Sequence, residues 1–232
     1  MNVMLADELN LCNNYMYRNV RILDNIFVKE KSIKFECQYQ PIFNSRNNSI
    51  QFYEVVTSYP SGFNPYRECL NEIFIKTKCI KKILRSKVLG VSACISFKVE
   101  SHLLLDGFFV QELMSFSEFN IAIEIHDLQK NIDLNLIFYN ILRLQESGVM
   151  VWLSGYHENS EQANLSFGKI NWDIIKIGKC FLSHNDFDAV EALYHVLKPF
   201  TRYGLIFEGV ETSNQASMIR ELGEFVQGKF YL

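Results

Sequence analysis

The side chains best placed for chemistry are Glu54, Glu124, Asp127, Lys176, Glu208, Glu211 and Gln227, each within or just after a short run of Ile, Val, Phe or Tyr. Carboxylates carried to one point by several strands, with a lysine among them, suit metal-assisted phosphodiester hydrolysis. In that chemistry two divalent ions generate the attacking hydroxide and offset charge on the phosphate. His157 and Glu158 offer a second acid–base or metal-ligand candidate, although a solvated loop is their simpler reading. His102, His126, His184 and His195 have no ligand spacing among themselves. The six cysteines, Cys12, Cys37, Cys69, Cys79, Cys94 and Cys180, contain no C-x-x-C pair and read as reduced thiols of a cytoplasmic protein.

Such residues need a rigid frame. The chain has 232 residues, 48% of them hydrophobic, with 19 Phe and 11 Tyr, ample for a buried core. Apolar runs at Glu36–Phe43, Gln51–Ser58, Ser92–Phe97, Asn120–Asp127, Val149–Tyr156, Ile174–Gly178, Leu205–Val210 and Glu224–Phe230 read as strands. Amphipathic stretches at Pro65–Ser86, Ser101–Met114, Leu134–Glu146, Glu161–Phe167, Phe187–Tyr203 and Asn214–Leu222 alternate with them as helices, several opened by a capping residue. Eight strands alternating with helices indicate a (β/α)8 barrel, in which chemistry sits at the carboxyl ends of the strands. The polar turn Asn44-Ser45-Arg46-Asn47-Asn48-Ser49 makes the first two strands an antiparallel hairpin, so one strand is reversed. Residues 1–33, with apolar positions Leu11, Tyr15, Val20, Leu23 and Ile26, read as a helical N-terminal extension to a barrel domain spanning 34–232.

The formal net charge is −3. The densest basic group, Lys76, Lys78, Lys81, Lys82, Arg85 and Lys87, has the spacing of one helix face and reads as a solvated surface, with no direct nucleic-acid partner implied. No apolar run approaches the roughly 18–20 residues that cross a bilayer, and the first 30 residues are charged throughout. Neither a membrane anchor nor a signal peptide is expected.

Five strings make the pattern specific: Tyr39-Gln40-Pro41-Ile42, Ile123-Glu124-Ile125, Asp173-Ile174-Ile175-Lys176-Ile177, Glu208-Gly209-Val210-Glu211-Thr212 and Gln227-Gly228. In order and spacing the chain resembles the EAL-domain cyclic di-GMP phosphodiesterases from about residue 36 to its end. The resemblance implies an EAL-type modified (β/α)8 TIM barrel and assigns family positions to Glu54, Glu124, Lys176, Glu208 and Gln227. It also exposes departures. The family's Glu-Ala-Leu reads Glu54-Val55-Val56, and the Arg that holds the nucleotide's phosphate aligns with Ser58, which cannot form a bidentate guanidinium contact. The family's metal-binding Asn aligns with Cys94. Its two adjacent aspartates align with Ser154 and Gly155, and a further Asp aligns with Gly178.

With the ion-bridging carboxylates replaced, the resemblance implies an inactive homologue with no resident cofactor. Mg²⁺ or Mn²⁺ would be required only for a residual activity. Glu54, Glu124 and Glu208 then read as vestigial groups satisfied by Lys176 in a polar barrel mouth, and Gly209 and Gly228 as backbone requirements. The expected function is that of the degenerate branch: regulation by protein–protein contact, for example with a transcriptional regulator of motility, fimbriae or biofilm. A cyclic di-GMP receptor and a residual phosphodiesterase are the alternatives. Tyr59 and Phe63, in a run with Tyr53 and Tyr66, are candidate interface anchors. The family continues past Gln227-Gly228 into a last helix, which this sequence lacks before Leu232. An apolar strip beside the first and last strands is therefore expected, covered by the N-terminal segment or by a second copy in a homodimer.

Overall fold

Asn44 starts the reversal that defines the barrel. Its Oδ1 accepts from the N–H of Arg46 at 3.0 Å, and its N–H donates to the carbonyl of Ser49 at 2.9 Å. Asn48 sits at φ 55°, a left-handed conformation that Asn tolerates. The computed structural model describes residues 20–28, 31–59, 72–86, 94–126, 128, 133–156 and 160–232. In it the turn joins β2 (Lys31–Asn44) to β3 (Ile50–Ser58) as an antiparallel pair, with Gln40 opposite Glu54.

From β3 onward every neighbour is parallel: β4 (Cys94–Val99), β5 (Ile121–Ile125), β6 (Met150–Tyr156), β7 (Trp172–Ile177), β8 (Thr201–Glu208) and β9 (Phe225–Gln227). β9 then pairs antiparallel with β2, Phe43 opposite Val226, and closes an eight-stranded barrel. The connections are α1 (Glu72–Ser86), α2 (Gly107–Met114), α3 (Leu134–Glu146), α4 (Ser160–Ser166), α5 (Lys179–His184), α6 (Phe187–Leu197) and α7 (Ser213–Leu222). Asp106, Asp133 and Asp186 cap α2, α3 and α6 through their carboxylates. Thr212 and Gln215 form a reciprocal capping box on α7.

One expected element is different. Residues 1–19 lie outside the described residues, but Val20–Val28 is a strand, β1, paired antiparallel with β2 from Val20 opposite Tyr39 to Val28 opposite Lys31. The spacing of Val20, Leu23 and Ile26 suggested a helix. The density of β-branched residues (Val20, Ile22, Ile26, Val28, Ile33) and a long partner strand favour a ladder instead. Asp24 of β1 pairs with Lys82 of α1 at 3.3 Å, so the arm is tied to the helix that covers the β2–β3 wall.

The barrel interior follows from the two-residue period of a strand. Ile42, Ala122, Trp152, Ile174 and Ile206 are fully buried and pack with Phe52, Cys94, Met150 and Phe225 as an apolar floor. The rings of Trp152 and Phe225 meet that of Phe52 edge-on at 5.2 and 5.1 Å. Two residues further toward the carboxyl end, the same faces present Glu54, Ser96, Glu124, Ser154, Lys176, Glu208 and Gln227; on the reversed β2 the corresponding residue is Gln40. A polar ring thus lies directly above an apolar floor. Opposite faces of the strands, including Tyr39, Val55, Phe97, Ile123, Val151, Ile175, Phe207 and Val226, pack outward in the main core shared with the helices.

The expected apolar strip on the outer wall is filled. Phe43 and Val226 are buried, and Tyr231, from the turn Lys229–Tyr231, stacks on Phe43 with ring centroids 5.4 Å apart. The basic face of α1 is largely paired: Lys76 with Glu100, Lys81 with Glu112 and Lys82 with Asp24. Among the described residues, no helix is long and apolar enough to cross a membrane.

Candidate functional site: an ion-paired barrel mouth

Lys176 projects from β7 into the centre of the polar ring and is fully buried. Its Nζ lies 2.9 Å from Glu54 Oε2 of β3, 2.9 Å from Glu124 Oε2 of β5 and 2.9 Å from Glu208 Oε1 of β8. One ammonium, with three protons to donate, therefore meets three carboxylates from three strands. The remaining oxygens of the two buried acids are also engaged. Glu54 Oε1 is 2.9 Å from Lys98 Nζ, and Glu54 Oε2 also accepts from Gln227 Nε2 at 2.9 Å. Glu124 Oε1 accepts from the hydroxyl of Ser96. Gln227 Nε2 further reaches Gln40 Oε1 at 3.3 Å.

Burial opposes ionisation of Glu54, but the ammonium groups of Lys176 and Lys98 outweigh that cost and bring its carboxyl from the ordinary 4.5 down to about 2. At Glu124 burial is the larger influence and pushes the carboxyl above its ordinary range, against the pull of Lys176. Burial would deprotonate Lys176, yet Glu124, Glu54 and Glu208 together raise it well above an ordinary lysine. The ring therefore centres on a charged lysine facing an ionised Glu54.

All five residues carried over by resemblance, Glu54, Glu124, Lys176, Glu208 and Gln227, converge here. Of the remaining candidates, Glu211 lies outside the ring, exposed and 3.8 Å from Lys229. Asp127, His157, Glu158 and Phe63 lie outside the described residues, and His126 is exposed beyond the ring. Ser58 is exposed at the end of β3. Cys94 belongs to the floor, one layer below Ser96, with its Sγ 3.9 Å from Met150 Sδ. Its thiol is pushed up to about 12, first by burial and then by the charge of Asp173. Ser154 lies in the ring but carries no charge. Gly155, at φ +68°, and Gly178, which precedes α5, present no side chain. Tyr59 is half-buried, its hydroxyl 3.7 Å from Cys79 Sγ in α1.

Two glycines of the conspicuous strings serve the backbone. Gly209 has φ +74°, and a Cβ there would press on Lys179. A Cβ at Gly228 would collide with the backbone of Val210, where the Val210 N–H donates to the Gln227 carbonyl at 3.1 Å and the Phe230 N–H to the Val210 carbonyl at 3.1 Å. Sequence reasoning missed Lys98, Ser96 and Gln40 as ring members. The signal that would have found them is the two-residue period, counted from Cys94 to Ser96 to Lys98.

The donor set does not suit a pair of divalent ions. Hard cations need free oxygen ligands, and all four oxygens of Glu54 and Glu124 are bound by lysines, Gln227 or Ser96. Two ammonium groups also stand where further positive charge would be repelled. Among the described residues, no three His, Cys, Asp or Glu side chains converge to hold a metal ion.

An eight-stranded α/β barrel with a reversed first strand, closed by an antiparallel contact and carrying acids and a lysine at its carboxyl-side mouth, defines the architectural class. No family model and no curated protein matches the sequence. Solved structures do: the EAL-domain protein from Listeria monocytogenes has a TM-score of 0.69 at 18% identity, over 85% of this chain and 86% of that one. The Xanthomonas citri FimX EAL domain, in complex with cyclic di-GMP, has a TM-score of 0.68 at 12% identity, over 84% of this chain and 86% of that one. The EAL enzyme Bd1971, in its cAMP- and cyclic-di-GMP-bound form, has a TM-score of 0.65 at 18% identity, over 85% of this chain. The present chain spans 61% of the length of that Bd1971 chain. The fold is that of EAL domains.

Proposed function

We propose that this chain is a degenerate EAL-fold regulator that binds another protein and does not hydrolyse cyclic di-GMP. The observation that supports this is the mouth itself: beside Lys176, which the family shares, a second lysine outside the family positions, Lys98, takes the remaining oxygen of Glu54. The strand ends at Ser154-Gly155 and Gly178 supply no carboxylate to bridge ions or orient water. A rigid barrel can retain its fold while exchanging chemistry for recognition.

FimX and Bd1971 were solved with cyclic di-GMP bound, so a nucleotide receptor is the reading to separate from this one. Ser58 in place of the phosphate-holding Arg weighs against it. Isothermal calorimetry with cyclic di-GMP is expected to show no binding, and saturable binding would replace the protein-regulator reading with the receptor. The partner is expected to be a regulatory protein, with Tyr59 and Phe63 as its candidate anchors. Crosslinking in the native host should capture a discrete partner with the wild type and lose it with Tyr59→Ala/Phe63→Ala. Equal capture by both would place the interface elsewhere.

A further inference from the structure

α3 (Leu134–Glu146) is apolar on two sides. Ile137, Phe138, Ile141 and Leu144 are buried in the main core, yet Leu136, Tyr139 and Leu142 are exposed, Tyr139 at 59%. At 3.6 residues per turn, Asn135, Leu136, Leu142, Arg143 and Glu146 all fall within about 60° of Tyr139 round the helix, so they form one continuous outward face. Beside it stand Leu105, from the 3-10 turn Ser101–Leu105, and Phe108, at the start of α2 and 69% exposed. Both elements pack on α3, the turn through Asn140 Nδ2, which donates to the Leu104 carbonyl at 2.7 Å. Single exposed apolar residues are ordinary, but five on adjoining elements make a patch. Unlike the wall beside β2 and β9, where Tyr231 stacks on Phe43, this patch has no cover among the described residues.

We propose that this patch is the contact surface of a homodimer, with α3 packed antiparallel on α3 of a second copy about a two-fold axis at Tyr139. The face is self-complementary, as such an interface requires. Asp133, the N-cap, and Arg143, in the last turn, lie on the same side of Tyr139 round the helix, one before it and one after it. The two-fold therefore brings Asp133 of each copy beside Arg143 of the other. Capping α3 uses only Oδ1 of Asp133, and Arg143 spends one nitrogen on Asn140 at 3.2 Å, so both keep capacity for an ion pair across the axis. Leu136 of one copy lies along the Arg143 stem of the other, and the Tyr139 rings meet at the centre. The five apolar side chains expose on the order of 400 Å², about half of the roughly 800 Å² that each partner of a stable complex buries. With the polar rim added, that area suits a reversible dimer of micromolar affinity. The contact uses neither the barrel mouth nor Tyr59, so the proposal does not rest on the reading of either.

The test is sedimentation velocity of the whole chain across the micromolar range. Wild type is expected to pass from monomer to dimer as its concentration rises. Tyr139→Asp sets two carboxylates against each other at the axis and should weaken self-association at least about tenfold. Asp133→Asn keeps the helix cap but removes the charge, and should weaken it by about twofold to fivefold. Both residues are exposed, so the circular dichroism spectrum should stay that of wild type. Leu142→Asp, on the same face, is the second disruptive variant should Tyr139→Asp fail to fold. A wild type that stays monomeric would overturn the proposal, as would a dimer that Tyr139→Asp and Leu142→Asp leave intact. Unchanged affinity in Asp133→Asn would overturn the antiparallel arrangement.

Discussion

Replacing Lys176 with Met removes the one group among the described residues that touches all three ring acids. Met fills a similar volume, so the loss is electrostatic rather than a cavity. Glu54 keeps Lys98 and Gln227, and Glu208 can turn toward solvent, but Glu124 is fully buried and retains only the Ser96 hydroxyl. Breaking a buried ion pair by removing one partner costs about 3–5 kcal/mol. For a chain of this size, that corresponds to a fall of roughly 6–20 °C in Tm. Urea denaturation and thermal melting measure it directly. The double substitution Lys176→Met/Glu124→Met removes the stranded acid as well and should recover at least about half of the loss, since replacing both partners of a buried pair with apolar groups is often close to neutral. A single-variant loss below about 1 kcal/mol, or a double variant no better than the single, would refute the claim that Lys176 organises the mouth.

Other outcomes follow from the same contacts. Glu54 has its carboxyl depressed from 4.5 to about 2, so its stabilising contribution is complete above pH 4.5 and is lost as pH falls toward 2. It amounts to up to about 3 kcal/mol. Glu124 is shifted the other way and offsets part of this, so the measurement is the difference between wild-type and Glu54→Gln stability, which should shrink across that pH window. Gly228→Ala forces a Cβ onto the Val210 backbone and should destabilise by about 2 kcal/mol or more, read as a shifted denaturation midpoint with an unchanged slope. Asp173 is buried and accepts from the Val151 N–H at 2.7 Å and Gln145 Nε2 at 3.0 Å. Asp173→Ala should cost about 1–3 kcal/mol by leaving the Val151 N–H unpaired.

The legibility of the fold came from period and punctuation. All eight barrel strands could be located in the sequence because their apolar runs are short and the helical patterns between them long, and the hairpin was readable from the Asn-rich turn after Phe43. Boundaries moved where a capping residue or proline intervened. Asp106 splits the expected helix Ser101–Met114 into a short 3-10 turn, Ser101–Leu105, and α2, and Pro199 ends the expected helix Phe187–Tyr203 so that Thr201 begins β8. α5 went unread because six residues are too few to establish a helical period. β1 was missed because three apolar residues at intervals of three mimic a helix face, and only the partner strand decides between the two.

At the site, Glu124, Lys176, Glu208 and Gln227 could be picked out because they stand in distinctive strings, whereas Glu54 stands in none of them. The arrangement around one ammonium was not legible, because an ion pair between residues 54 and 176 leaves no local trace. Lys98 was the least legible, since nothing in Phe97-Lys98-Val99 distinguishes an inward lysine from a solvated one. Its significance appears only when β3 and β4 are aligned in parallel, with Glu54 opposite Ser96 and Lys98 one inward step beyond.

Hydrolysis is where the account is most exposed. Purified chain incubated with cyclic di-GMP and Mg²⁺ or Mn²⁺ should release no linear dinucleotide above the background set by Glu54→Ala. Turnover by wild type that Glu54→Ala abolishes would show that the lysines yield the mouth to metal ions, and the reading of a neutralised, non-catalytic barrel would be wrong.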